Sequence, residues 1–184
     1  MNIFVLDEDP VLAAQMHCNK HVVKMILETA QLMSTAIWDA GNDDIKKTVS
    51  KEKREAWIRD HYSKIYKPTH RKHPCALWAR ENSVRFNWLK RLGLALCQEY
   101  TYRYGKVHKS QAVIEALKFP IFDACFIDPP LRPFVQAMPD DFKVEKDAVQ
   151  AYRNYYRGAK QRMLVYTRRE PPEWIKDIAT YKPL

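Results

Sequence analysis

The stretch from Val11 to Trp38 constrains this chain more than any other. Apolar residues recur through it at helical spacing, and His17–Asn19 is where such a helix would break. At about 100° per residue, His17, Lys20, His21, Lys24, Glu28, Gln31 and Thr35 fall in one stripe roughly 100° wide. Val22, Val23, Met25, Ile26, Leu27, Ala30, Met33 and Ile37 occupy the rest of the circumference. A helix apolar over most of its surface has to be central, with other helices packed around it. The expectation is a mainly α chain, one helical domain over residues 1–184.

Local signals place the other elements. Asn2–Leu6 is a short apolar run that reads as an extended segment, ending in the acidic turn Asp7-Glu8-Asp9-Pro10. Asp9 caps and Pro10 opens the first helix. Gly41-Asn42-Asp43-Asp44 reads as a loop, and residues 45–60 as an exposed helix. Tyr66–Thr69 is a connection. Pro74 opens a helix, Asn82 caps its continuation, and Gly105 stops it after Tyr104. Ser110 caps a short helix to about residue 118. Residues 119–139 hold five of the eleven prolines together with Phe119, Phe122, Phe126 and Phe134, and read as an ordered loop packed on the body. A last long helix is expected over about 145–164, with the tail from Arg168 folding back.

The formal charge is +9, and it is uneven. Residues 1–50 carry 4 Lys/Arg against 7 Asp/Glu, residues 51–110 carry 15 against 5, and residues 111–184 carry 12 against 10. An excess confined to the middle third points to a polyanionic partner, DNA before others; a solvated basic face is the bland alternative. No run approaches the roughly 18–20 apolar residues of a membrane span, and Met1–Phe4 lacks the start of a signal peptide. A cytoplasmic protein is expected. Cys18, Cys75, Cys97 and Cys125 form no C-x-x-C pair and read as reduced, mostly buried thiols.

The stripe is the best candidate for chemistry. It either borders solvent as a narrow edge or lines a cleft. Lys24 and Glu28 stand one turn apart, where each supports the other's charge. A lysine made nucleophilic by burial, beside a carboxylate that steers a developing cation, suits attack at a sugar C1′ with departure of the base. An ion pair without chemical role is the plain alternative.

Thr69-His70-Arg71-Lys72-His73-Pro74-Cys75, followed by Trp78 and Arg80, is a second cluster. Its imidazoles and cations just before a helix start suit a phosphate cradle. His17/His21 with His70/His73 could instead supply four nitrogens to a metal, but Arg71 and Lys72 oppose a cation, so no metal and no cofactor is expected. Tyr100–Lys109 and Tyr152–Arg162 interleave tyrosines with cations. In the second, Arg153, Arg157 and Lys160 form an i, i+4, i+7 row suited to phosphates, with rings that can stack on an unstacked base. Phosphate-loop, dinucleotide, zinc-deaminase and G-x-S-x-G signatures are absent.

Leu6–Pro10, Lys20-His21-Val22-Val23-Lys24-Met25, His70–Cys75 and Tyr102-Arg103-Tyr104-Gly105-Lys106 resemble segments of small basic proteins of tailed phages and bacteria, motifs that by themselves imply little chemistry. In layout the chain is also similar to pyrimidine-dimer DNA glycosylases, small basic all-α proteins that flip bases and cut the glycosidic bond. The apolar start, Leu12-Ala13-Ala14-Gln15, the striped helix, His73-Pro74 and the helix ending near Tyr104-Gly105 carry that likeness. The resemblance implies an N-terminal amine as nucleophile and a glutamate on the first long helix. Asn2 is too large for ready removal of Met1, so the amine would belong to Met1 or be formylated, and Glu28 fills the acid's place in a different register.

The reading that follows is a DNA glycosylase, with lyase activity an option, acting on a modified or damaged base. Lys24 or the terminal amine attacks, and Glu28 and His21 complete the catalytic set. His17, Lys20, His70, His73 and Arg80 line the pocket. Arg71, Lys72, Arg103, Lys106, Lys109, Arg153, Arg157 and Lys160 hold phosphates. A non-catalytic nucleic-acid-binding or host-interaction protein is the second reading, and an enzyme acting on a small phosphorylated nucleotide the third. The sequence leaves the oligomeric state open.

Overall fold

The computed structural model describes residues 1–39, 49–119 and 131–183. Among these it holds seven α-helices: α1 (Pro10–Met16), α2 (Asn19–Asp39), α3 (Lys51–His61), α4 (Pro74–Arg80), α5 (Ser83–Tyr104), α6 (Gln111–Ala116) and α7 (Ala148–Ala159). Two three-residue strands, β1 (Val165–Thr167) and β2 (Thr180–Lys182), pair in parallel with Tyr166 opposite Tyr181. The fold is mainly α, as the central striped helix requires. The expected loop at Gly41–Asp44, most of the proline-rich stretch, and Cys125 lie outside the described residues.

The boundaries follow from side-chain chemistry. Asp9 accepts hydrogen bonds from the main-chain N–H of Val11 and Leu12, and Pro10 occupies the first turn, where its missing N–H costs nothing. The chain then breaks at His17–Cys18, as anticipated, before α2 runs for 21 residues. Asn82 caps α5, and Gly105 ends it in the left-handed region at φ 64°, a conformation that costs other residues about 1 kcal/mol or more. Two expectations need correction. Ser110 makes no capping bond, because its hydroxyl takes the Tyr66 phenol instead, and α6 ends at Ala116. The last helix covers only Ala148–Ala159, started by Asp147 and followed by a 3-10 turn at Gln161–Met163.

α2 packs along α5, α1 crosses α5, and α4 lies against α2. Gly93 makes the tight α2–α5–α6 approach feasible: a Cβ there would stand 2.6 Å from Thr29 Cγ2 and 3.0 Å from Ile114 Cδ1. The extended start, Ile3–Leu6, is itself core, each residue at most 5% exposed. Burying such side chains contributes about 1.5–3 kcal/mol apiece, so the head of the chain is firmly seated. From the proline-rich stretch, Phe134 stacks on Trp78 and meets Trp88 edge-on. The tail folds back, with Trp174 beside Tyr156.

Candidate active site

Seating Ile3–Leu6 in the core brings the head of the chain to the middle of α2. The Met1 amino group lies 3.9 Å from Glu28 Oε2, and the Asn2 main-chain N–H donates to the same oxygen at 2.7 Å. The other carboxylate oxygen faces Lys24 Nζ at 3.2 Å. Glu28 is 7% exposed, while the Lys24 side chain is largely in solvent. Two cationic groups and an amide thus converge on one nearly buried carboxylate. That pairing offsets the cost of placing its charge there.

The histidine loop forms the neighbouring wall. Thr35 exchanges hydrogen bonds with both the N–H and the carbonyl of Thr69, Ser34 Oγ accepts from Tyr66 N–H, and Trp38 Nε1 donates to the Tyr66 carbonyl. Polar residues of α2 therefore pin residues 66–69. His70 adopts φ 50°, a strained conformation for a residue other than glycine. His73 caps α4: its Nδ1 accepts from Cys75 N–H, which leaves the ring proton on Nε2. Burial first, then the charge of the Met1 amine, pushes His73 below the usual histidine range, so the ring is neutral at pH 7. Pro68, Thr69, His70, Arg71, Lys72 and His73 line an open hollow of about 680 Å³. Arg71 and Lys72 also border a second hollow of about 390 Å³ with Lys51, Arg54 and Arg80. There Arg71 and Arg80 both grip Asp39, the last residue of α2.

Of the predicted residues, Lys24 and Glu28 stand in the first half of α2, His70, Arg71, Lys72 and His73 on the adjoining loop, and Arg80 at the end of α4. Lys20 is exposed, one turn before Lys24. His21 is not part of this set. It is buried under Phe4, with ring centroids 4.3 Å apart, and its Nδ1 meets the Tyr156 hydroxyl. His17 is buried completely, its Nδ1 on the Ala13 carbonyl. Burial lowers His17 to about 4 and His21 to about 2. The helical-wheel stripe therefore splits: Lys20 and Lys24 are exposed, Glu28 meets the Met1 amine, and the histidines are core.

The cations divide in the same way. Arg103 is 3% exposed and spends its guanidinium on Glu99, the carbonyls of Gln15 and His17, and Asn19. It cannot reach a phosphate from there, and its expected role is corrected to a structural one. Arg153 donates to the Leu6 carbonyl, pairs with Asp7 and lies over Trp174. Arg157 forks onto Asp177 and the Trp174 carbonyl, and Lys160 sits over Tyr155. Lys106 and Lys109 are exposed just beyond α5, near the Asn19 end of α2. Among the described residues no group of three or more His, Cys, Asp or Glu is placed to hold a metal ion, and no helix is long and apolar enough to cross a membrane. Cys18, Cys75 and Cys97 are free and buried.

Reading the residues alone gave Asn2, Asp39 and Cys75 no place in the site, and grouped Tyr152 with rings suited to stacking on a base, whereas it is fully buried. Asn2 and Tyr152 meet only through tertiary packing across 150 positions, and no local pattern signals that.

An amine and a lysine thus meet one nearly buried carboxylate beside a cationic loop, on a helical scaffold. Residues 1–112 match the family model described as pyrimidine dimer DNA glycosylase, and with more than half of its length covered the chain belongs to that family. Its function is accordingly DNA glycosylase-like, with DNA as the molecule bound. No match was found among curated proteins or among solved structures.

Proposed function

We propose that this protein excises damaged pyrimidines from DNA through a covalent imine formed by the Met1 α-amine. The observation that carries this reading is the amine's position 3.9 Å from Glu28 on α2. Lys24 is the competing nucleophile at a similar distance from the carboxylate. As a class, α-amines are weaker bases than lysine side chains by more than about a hundredfold, so far more of them carry a free lone pair at neutral pH. Chemistry therefore favours Met1, and Lys24 Nζ pairs with the other oxygen of Glu28.

The amine lone pair attacks C1′ as the C1′–N bond to the base breaks, its electron pair leaving on the base. Glu28 stabilises the positive charge that builds on the sugar and accepts the proton the amine sheds. The sugar ring then opens, O4′ taking the proton that Glu28 accepted, and leaves a protonated imine at C1′. Removal of a C2′ proton with departure of the 3′ oxygen would add strand cleavage. Water hydrolyses the imine and frees the amine. Arg71, Lys72 and the exposed Lys20 and Lys24 engage phosphates beside the reacting nucleotide, and the His70–His73 hollow receives the displaced base. Pyrimidine dimers are the first lesion to test, because the family description names them.

The test is borohydride trapping on a duplex carrying a cyclobutane pyrimidine dimer. A trapped complex with wild type and a strongly diminished one with Glu28→Gln is the expected result. Tight, salt-sensitive binding with neither base release nor trapping on any lesion would leave the non-catalytic binding reading. Turnover of free nucleotides without DNA binding would leave the third.

A further inference from the structure

Asn2 fastens the head of the chain with nearly every polar atom it has. Its carboxamide nitrogen donates to the Ala137 carbonyl at 2.8 Å. Its carboxamide oxygen accepts from the Tyr152 hydroxyl at 2.8 Å and from Ile3 N–H at 2.7 Å, and lies 3.6 Å from Cys75 Sγ. Tyr152 is fully buried, and its hydroxyl also accepts from Ala137 N–H and reaches the Val135 carbonyl. The Met1 side chain is only 2% exposed. Ala137 and Tyr152 lie beyond residues 1–112, the part that matches the family.

We infer that Met1 is retained in the working enzyme, and that Asn2 and Tyr152 are positioning residues that hold its α-amine against Glu28. The inference rests on the imine reading above. Three features support it. The buried Met1 side chain fills space that its removal would leave empty. The bulk of Asn2 disfavours methionine excision, which requires a small second residue. Removal would also shift the amine onto the Asn2 nitrogen, now 2.7 Å from Glu28 Oε2. An amine in direct contact with a carboxylate is held protonated and cannot attack. The Met1 amine stands 3.9 Å from that oxygen, beyond hydrogen-bond distance. The carboxamide then sets where the preceding residue can sit, and the segment after the family match supplies the partners that set the carboxamide.

The experiment combines mass mapping with two variants. Intact mass of the purified protein should include an unformylated Met1, and the peptide from the borohydride-trapped complex should carry its adduct on the Met1 α-nitrogen. An adduct on Asn2 or Lys24, or a protein lacking Met1, overturns the inference and leaves the imine reading standing. No adduct on any lesion overturns the imine reading, and this inference falls with it. Tyr152→Phe deletes one hydroxyl, and Asn2→Gln keeps Met1 but displaces the carboxamide. Each should slow single-turnover trapping by about tenfold or more, since misplacing a reacting group by about 1 Å is that costly, while the duplex Kd stays within about twofold. Circular dichroism shows which variants are folded, and Asn2→Gln reads the same clamp if Tyr152→Phe is not. Unchanged trapping in the folded variants, or Kd and rate falling together, refutes the positioning role.

Discussion

Acidification from pH 6.5 to 5 is expected to destabilise this protein through two histidines that the fold holds neutral. His17 sits with no exposed surface, its Nδ1 on the Ala13 carbonyl and its Nε2 without a partner. Burial, with a smaller contribution from the Arg103 charge, lowers it to about 4. His21 is capped by Phe4 and Tyr156, and burial, then the charges of His17, Lys160 and Lys24, lower it to about 2. In the unfolded chain both imidazoles take a proton near pH 6.5. Below that pH the unfolded state holds more protons than the folded one, so stability falls as pH falls. Each histidine contributes about 1.4 kcal/mol per pH unit, or together about 4 kcal/mol lost by pH 5, against a typical total of about 5–15 kcal/mol. Ordinary carboxylates remain mostly ionised above pH 5, so the window belongs to histidine. His73 and His108, both partly buried, shift in the same direction, and variants must therefore isolate the buried pair. Urea unfolding followed by tryptophan fluorescence at pH 7, 6 and 5 gives the slope, and His21→Leu should reduce it by about 1.4 kcal/mol per pH unit. Stability that is flat from pH 6.5 to 5, or NMR titration of either imidazole near 6.5 in the folded protein, refutes the reasoning.

Three further outcomes follow from the packing and the site. Gly93→Ala gains about 1 kcal/mol of helix propensity but forces Thr29 and Ile114 aside, so a net loss of about 1–2 kcal/mol is expected; a raised urea midpoint would show that the helices yield. Arg103→Ala strands the carbonyls of Gln15 and His17 and should cost about 3–5 kcal/mol without altering the salt dependence of DNA binding, whereas Lys72→Ala should leave stability intact and flatten the log Kd–log salt slope by about 0.9. The reverse pattern would return Arg103 to the DNA interface. Glu28→Gln should reduce base release by about 10²–10⁴-fold with duplex affinity nearly unchanged; an equal fall in affinity would make Glu28 a binding residue.

What could be read from the sequence was local. Asp9-Pro10, Asn82 and Gly105 each act within one helical turn, and the structure places helix ends where those residues predict. The stripe on α2 was harder, because a helical wheel gives an angle and says nothing of what lies across from it. His21 and Glu28 are about 20° apart on that wheel. One is sealed under Phe4 and Tyr156, and the other meets the amine of Met1. The difference is made by Asn2–Leu6, a run whose burial depends on helices far along the chain. Glu28's amine partner was suggested only by family resemblance, since no residue near Glu28 in sequence points to it.

The basic excess of residues 51–110 shows why charge counts overstate a binding face. Arg85 and Arg103 belong to that excess, yet both are buried and bonded to carboxylates and carbonyls of the protein itself. Arg71 and Arg80 share Asp39, so part of their charge is already answered. Lys51, Lys53, Lys67 and Lys72, all exposed, lie on α3 and the histidine loop, and Lys20 and Lys24 lie on the open side of α2. Glu28 and Asp39 are eleven residues apart on one helix, or about 16 Å. A duplex spans that distance in a few phosphates, so under the proposed function a backbone held by the loop cations would pass within reach of the amine. Much of the basic excess is therefore answered within the protein, and the cations left exposed are those of α3, the histidine loop and the open side of α2.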